Sequence, residues 1–274
     1  MKNNFNVSGF LKSDRVRLPY VYAFFALISI FIYFNALHND FLYDDKFFVV
    51  RNLYIRSPHF LPYLLKMDVF HFAPSPGNYY RPIQMLSYSL DYFFWKLNPF
   101  GYHLTNIVIH SLNSFLVFSL VCLLFKDKFL ALLSGIFFCI HPIHIGVVTV
   151  IGGRSNILEM MFMFLSLLTL MRYYLDKRPL GYFLSLFLFI LGLLSREGAL
   201  LLPFFILLCA ITLNVDKKRL FVSLLPFLII CGFYLTWRTH FIPSDKLKFQ
   251  GILTSQRLST FFYLAQSYVS QLIL

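Results

Sequence analysis

Two adjacent carboxylates, Asp44 and Asp45, follow the first apolar run of the chain by a few residues. Such a pair can supply a general base and a partner that orients it, or two oxygen ligands for a hard cation; the same pair also describes a solvated acidic loop. Arg81 sits in the run Tyr79-Tyr80-Arg81-Pro82, where a guanidinium can reach lipid headgroups or clamp a phosphate. Arg154, Arg196 and Arg238 each fall at an end of an apolar segment, and Glu159 and Glu197 lie close to the first two. For Arg196 and Glu197, next to each other, a local ion pair is the plain alternative. Arginine suits a phosphate or pyrophosphate because its planar fork donates two parallel hydrogen bonds.

Histidines complete the set. His103, Asn106, His110 and Asn113 step by three, four and three residues, which places them on one face of a helix. A polar stripe in a membrane helix must face the bundle or a water-filled cavity, because lipid offers it no partner. His141 and His144 lie three apart around Pro142, a spacing that can hold a metal, but no third ligand follows. We therefore expect no metal and no organic cofactor; a divalent ion would depend on the aspartate pair alone.

The elements that must position these groups are apolar helices. Hydrophobic residues make up 58% of the 274, charged residues only 13%, and there are 35 Phe and 17 Tyr. Mean hydropathy is +0.69. A soluble domain carries about 25% charged residues, and a core of this size cannot hide so much apolar surface. The net charge of +12 would suggest nucleic acid in a soluble protein, but here the basic residues form short clusters between apolar runs, so topology explains them and no nucleic acid is expected. All four cysteines, Cys122, Cys139, Cys209 and Cys231, lie within apolar runs and read as buried small hydrophobes.

Spanning segments need about 20 apolar residues. Candidates are 20–38, 103–125, 129–145, 157–175, 180–195, 198–213 and 219–238, with an eighth starting near Thr260. The fold class is then all-α, a polytopic bundle of about seven or eight membrane helices, with 180–195 and 198–213 forming a tight hairpin. Lys2, Lys12, Arg15 and Arg17 precede the first span. Lys126 and Lys128, Lys177 and Arg178, and Lys217, Lys218 and Arg219 then fall on the same side by alternation. That side is cytoplasmic by the positive-inside rule. The residues that could do chemistry fall on the other side, which also receives a loop over 39–102, aromatic and punctuated by proline, expected to hold short interfacial helices.

Five stretches carry a family resemblance. They are Asn35 to Asp45 (NALHNDFLYDD), Tyr80-Arg81-Pro82 through Leu97-Asn98-Pro99-Phe100-Gly101-Tyr102-His103-Leu104-Thr105-Asn106, His141-Pro142-Ile143-His144 with Gly153-Arg154, Leu194-Ser195-Arg196-Glu197, and Tyr234-Leu235-Thr236-Trp237-Arg238. In order and spacing they resemble the GT-C glycosyltransferases, nearest to the protein O-mannosyltransferase-like enzymes that join membrane helices to tetratricopeptide repeats. The resemblance implies one GT-C-like transmembrane domain over 1–274, cut short within its eighth helix. It implies an integral protein of a bacterial inner membrane, with a cytoplasmic N-terminus and an extracytoplasmic active site. The reaction implied is transfer of mannose or a similar hexose from a polyprenyl-phosphate donor to an acceptor hydroxyl on protein or glycolipid, with inversion. Asp44 and Asp45 would be catalytic; Arg81, His103, His141, His144, Arg154, Glu159, Arg196, Glu197 and Arg238 would bind donor phosphate and substrate. Similar proteins carry acidic residues at two places filled here by Gly146 and Asn156. The competing expectations are a non-enzymatic transporter or scaffold subunit, against which stands the absence of a repeat, and a transferase acting on lipid-linked glycan or lipid A.

Overall fold

The computed structural model describes residues 18–74, 77, 79–241, 260, 263–264 and 266–267, and among them there are helices and no strands. Eight helices of ten residues or more organise the chain: α1 (Leu18–Tyr33), α2 (Pro82–Trp95), α3 (Pro99–Phe125), α4 (Lys128–Ile140), α5 (Arg154–Asp176), α6 (Pro179–Ser195), α7 (Leu202–Thr212) and α8 (Lys217–Phe241). Short helical turns extend or join them.

Local sequence sets these boundaries. Asn98 caps α3 by accepting from Phe100 N at 3.1 Å, with Pro99 in the first turn. Asp127 caps α4, accepting from Phe129 N and Leu130 N at 2.9 and 3.0 Å. Lys126 and Lys177 end α3 and α5 in the left-handed region, at φ 58° and 56°. Their ammonium groups thus sit where the helix dipole is negative. Arg219 adds to this by donating to the backbone carbonyls of Tyr173 and Tyr174 at 2.9 Å each, at the end of α5.

Among the described residues four helical stretches are long and apolar enough to cross a bilayer: Leu18–His38, Pro99–Phe125, Ile151–Asp176 and Lys217–Arg238. The pair Lys128–Ile140 and Pro142–Val148, bent by 46°, makes a fifth if it is one broken span. Pro179–Ser195 and Glu197–Thr212 are apolar but shorter. The expectation of seven or eight full spans is therefore met by four or five. The eighth expected helix, and the basic residues Lys2, Lys12, Arg15 and Arg17, lie outside the described residues apart from isolated positions.

The expected hairpin of 180–195 with 198–213 is also different. The chain does reverse at Arg196, but α6 packs chiefly on α5, and α7 packs on α5 and α8. One apolar core joins all four helices through Leu170, Met171, Phe189, Leu202, Ile206 and Phe227. Ser166 and Ser185 cross-bond α5 to α6, each hydroxyl donating to the other's carbonyl, at 2.8 and 2.9 Å. Small residues with internal hydrogen bonds are how helices meet closely where lipid removes the hydrophobic drive.

The two-residue connections 126–127 and 177–178 and the turn 213–216 lie at one end of the bundle, since short links force antiparallel neighbours. Residues 39–98 cover the other end. They form a folded cap with its own core of Phe48, Ile55, Leu64, Met85 and Tyr88, joined by Tyr102 of α3 and Ile151. The short turns of this cap pack on one another and on α2, in place of the separate interfacial helices expected. Only α2 has the amphipathic form of an interfacial helix: Gln84, Met85, Tyr88 and Asp91 are buried, while Leu90, Phe93 and Phe94 are exposed.

Candidate active site

The site lies beneath the cap, where the turn 149–153 enters α5. Its organiser is Arg154, a residue with no exposed surface. The guanidinium is ion-paired with Asp91 of α2. It also donates to Asn106 Oδ1 and to the Tyr102 carbonyl, both at 2.7 Å, and lies over the Tyr88 ring. A buried charge survives only when paired and hydrogen-bonded, and Arg154 is both. Where the sequence leads one to expect a donor-phosphate ligand, Arg154 directs its hydrogen bonds to the protein, tying α2, α3 and α5 together.

Around it the polar stripe of α3 does structural work. Asn106 Nδ2 donates to the carbonyls of Val148 and Val150, at 3.3 and 3.1 Å. Asn113 Nδ2 donates to Ile157 O at 2.8 Å. His110 Nε2 meets the Cys139 carbonyl at 3.1 Å. The Asn106 bonds hold the irregular backbone between α4 and α5, while Asn113 and His110 reach carbonyls within α5 and near the end of α4. His103 is the exception in the stripe: it is buried, and neither ring nitrogen has a hydrogen-bond partner.

The aspartates divide sharply. Asp44 is exposed. Asp45 is 1% exposed; its Oδ1 accepts from Gly152 N at 2.7 Å and its Oδ2 from Leu42 N at 3.1 Å. Burial pushes the Asp45 carboxyl above the usual range, against the pull of those two N–H groups, with Asp44 adding to the rise and Arg154 opposing it. The turn that presents them carries Tyr43 at φ 43°, an unfavourable backbone for an aromatic residue. Asp45 is thus the anchor that docks a strained turn against Gly152, and Asp44 is the exposed carboxylate of the pair.

A second cluster shares that neighbourhood through Ser155. Arg81 donates to Ser155 Oγ at 3.2 Å, lies over the Tyr79 ring, and stands 3.9 Å from Glu197. Arg238 approaches the other Glu197 oxygen at 3.4 Å. Arg196 stands 4.0 Å from Glu159. The loop between α6 and α7 comes so close to α5 that a Cβ on Gly198 would lie 2.3 Å from Glu159 Oε1. Burial lowers the Arg81 guanidinium below its ordinary value, with Glu197 opposing the fall and Arg196 adding to it. Three arginines and two carboxylates from α5, the α6–α7 turn, α8 and the segment before α2 therefore converge, as the sequence leads one to expect of Arg81, Glu159, Arg196, Glu197 and Arg238.

His141 and His144 are placed differently. His141 Nδ1 accepts from Ile143 N at 3.2 Å, capping the turn after α4. The His144 ring stands 4.4 Å from Phe138 and 5.2 Å from His110. Their ring neighbours are aromatic, not the arginine cluster. No group of three metal-ligating side chains occurs among the described residues.

Sequence reasoning passed over Asp91, Gln84 and Tyr88. Gln84 donates to Gly152 O at 3.0 Å and Tyr88 to Ile151 O at 2.8 Å, so both fix the turn on which Asp45 docks. Asp91 accepts from Thr105 Oγ1 at 2.8 Å besides pairing Arg154. The signal was present: residues 84, 88 and 91 step by four and three, the same helical spacing as the stripe of α3.

Comparison with known proteins finds a family and several relatives. The family described as dolichyl-phosphate-mannose-protein mannosyltransferase matches residues 91–239, just over half of the chain. A protein O-mannosyl-transferase, Tmtc1 of Drosophila melanogaster, is 26% identical over 250 residues, covering 82% of this chain and 29% of its own length. TMTC3 of Mus musculus is 33% identical over 133 residues, 47% of this chain and 14% of its own. The tmtc2 protein of Xenopus laevis is 32% identical over 167 residues, 60% of this chain and 20% of its own. The chain thus spans less than a third of the length of these relatives. No solved structure matches it.

Proposed function

This chain belongs to the dolichyl-phosphate-mannose-protein mannosyltransferase family, and from that premise we propose that it is a membrane glycosyltransferase. It moves a hexose, mannose or a close analogue, from a polyprenyl-phosphate carrier to an acceptor hydroxyl, at the membrane face opposite its basic connections. Residues 1–274 act as one GT-C-like transmembrane domain. Its setting is a bacterial inner membrane, with the N-terminus cytoplasmic and the site extracytoplasmic; the shared end of the basic connections supports that orientation.

The observation that carries the reading is the meeting of two unlike charge groups around the start of α5: Asp45, next to Asp44, docked on Gly152, and Arg81, of the arginine cluster, joined to Ser155. In the reaction, Asp44 takes the proton of the acceptor hydroxyl. The hydroxyl oxygen bonds to the anomeric carbon as the bond from that carbon to the phosphate oxygen breaks, so the configuration inverts. The electron pair leaves with the lipid phosphate, and Arg81, Arg196 and Arg238 stabilise the charge that grows there. Asp45 keeps Asp44 in place through its hold on Gly152. His103, with two unpartnered ring nitrogens, offers a hydrogen bond to substrate. Arg154, His141 and His144 are scaffold in this account.

A positioned base contributes about 10²–10⁴-fold. The double variant Asp44→Asn, Asp45→Asn should lose incorporation of radiolabelled hexose from a polyprenyl-phosphate donor by at least about 100-fold, while inserting into membranes at the parent level. Parent-level incorporation would overturn the reading. Whether the label appears in protein or in lipid identifies the acceptor, which by the names of the relatives we take to be protein.

A further inference from the structure

We propose that Glu197 is a resident counter-anion: in the empty site its carboxylate holds the place between Arg81 and Arg238 that the donor phosphate takes, and it returns there to drive product phosphate out. The inference rests on the reading that these arginines bind lipid phosphate.

The geometry argues for an exchangeable occupant. A charge-assisted N–H···O pair normally closes to about 2.7–2.9 Å. Glu197 stands 3.4 Å from Arg238 and 3.9 Å from Arg81, so neither pair is drawn tight. Three polar atoms around this point are buried without a hydrogen-bond partner: Arg81 Nε, Arg238 Nε and Glu197 Oε2. Unmet buried donors and acceptors are costly, and three in one place describe a site built for something else. A tetrahedral phosphate, with more oxygens at wider angles, can satisfy both guanidinium Nε groups where a flat carboxylate does not.

The backbone permits the exchange. Glu197 opens the short helical turn between α6 and α7, next to Gly198, and among the described residues only Arg238 bonds its carboxylate, at 3.4 Å. Glu159, by contrast, is wedged under Gly198 and faces Arg196, so it stays. Charge balance gives the exchange its direction. Three guanidinium groups against two carboxylates leave one net positive charge, matched to the single charge of a phosphodiester donor. The phosphomonoester product carries about −1.5 to −2, and would be held more tightly than donor were there no anion to compete with it.

The test is binding of a polyprenyl monophosphate to the whole chain in detergent, with the matching polyprenol as control for the apolar chain. Against the parent, Glu197→Gln should bind the phosphate roughly fivefold or more tightly, with no change for the polyprenol. In the transfer assay the same variant should show lower KM and lower kcat together, because release is slowed. Glu197→Asp, whose carboxylate is one methylene shorter, should move in the same direction and stands in should the amide variant fold poorly. If Arg238→Gln weakens phosphate binding while neither Glu197 variant strengthens it, the counter-anion is refuted and the phosphate site stands. If Arg238→Gln and Arg81→Gln bind the phosphate as the parent does, the phosphate site itself fails, and the counter-anion with it.

Discussion

Arg154 and Arg81 show how burial separates two arginines that the sequence treats alike. Both lie near the ends of apolar segments, and both contact Ser or Asn side chains. Arg154 is fully enclosed and joined to Asp91, whereas Arg81 keeps an unpartnered Nε beside a loosely held carboxylate. The first is a tie between helices; the second we propose as a place for a ligand. Removing Arg154 leaves the buried Asp91 without its counter-charge, with the Thr105 hydroxyl still bonded to it, which costs about 3–5 kcal/mol. Arg154→Met should therefore lower the melting temperature in detergent strongly. Adding Asp91→Leu should recover part of the loss, because the stranded charge is then gone. A normal melting curve with lost phosphate binding would return Arg154 to the substrate.

At the scale of elements, the catalytic geometry depends on the irregular backbone between α4 and α5. Pro142 removes a helical N–H, and the chain bends by 46° there. Farther along the same segment, the carbonyls of Val148, Gly152 and Ile151 accept from Asn106, Gln84 and Tyr88. Gly153 lets the turn close: a Cβ at that position would lie 2.3 Å from the Val147 carbonyl oxygen, a backbone atom with nowhere to go. Gly153→Ala should thus cost about 1–3 kcal/mol and loosen the dock for Asp45, lowering melting temperature and transfer together. Unchanged melting would mean that the turn is more pliant than its packing implies. At Gly198 the atom in the way is instead a side-chain oxygen, Oε1 of Glu159, and not backbone.

For the whole molecule, charge separates the two ends of the bundle. One end carries Lys126, Lys128, Lys177, Arg178, Lys217, Lys218 and Arg219 in short connections. The other carries the cap and the mixed cluster of carboxylates and arginines. By the positive-inside rule we propose that the basic end is cytoplasmic. Reporter fusions after residues 127, 178 and 215 should be active only as cytoplasmic reporters, and fusions within 39–74 only as exported ones. The reverse pattern would place the site on the cytoplasmic face and remove the basis for an extracytoplasmic acceptor.

Much of this was determined by sequence alone, because membrane insertion reads composition over windows of about 20 residues. The helices over 103–125, 157–175 and 219–238 appear within a few residues of where the apolar runs put them. The polar stripe His103, Asn106, His110 and Asn113 faces inward, as a period of 3.6 in lipid requires. The joining of Arg81, Arg196 and Arg238 with Glu159 and Glu197 was also legible, since alternating spans bring those segments to one end. Tertiary structure decided the rest, for a physical reason: burial and partner choice depend on neighbours distant in the chain. Nothing local in Asp44-Asp45 says that one is exposed and the other spends both oxygens on backbone N–H groups, one of them 107 residues away. Nothing local in Gly153-Arg154 says that its guanidinium is claimed by Asp91, 63 residues earlier. The pattern fixed which residues reach the same end of the bundle, and packing alone assigned each of them to hold the scaffold or to meet a substrate.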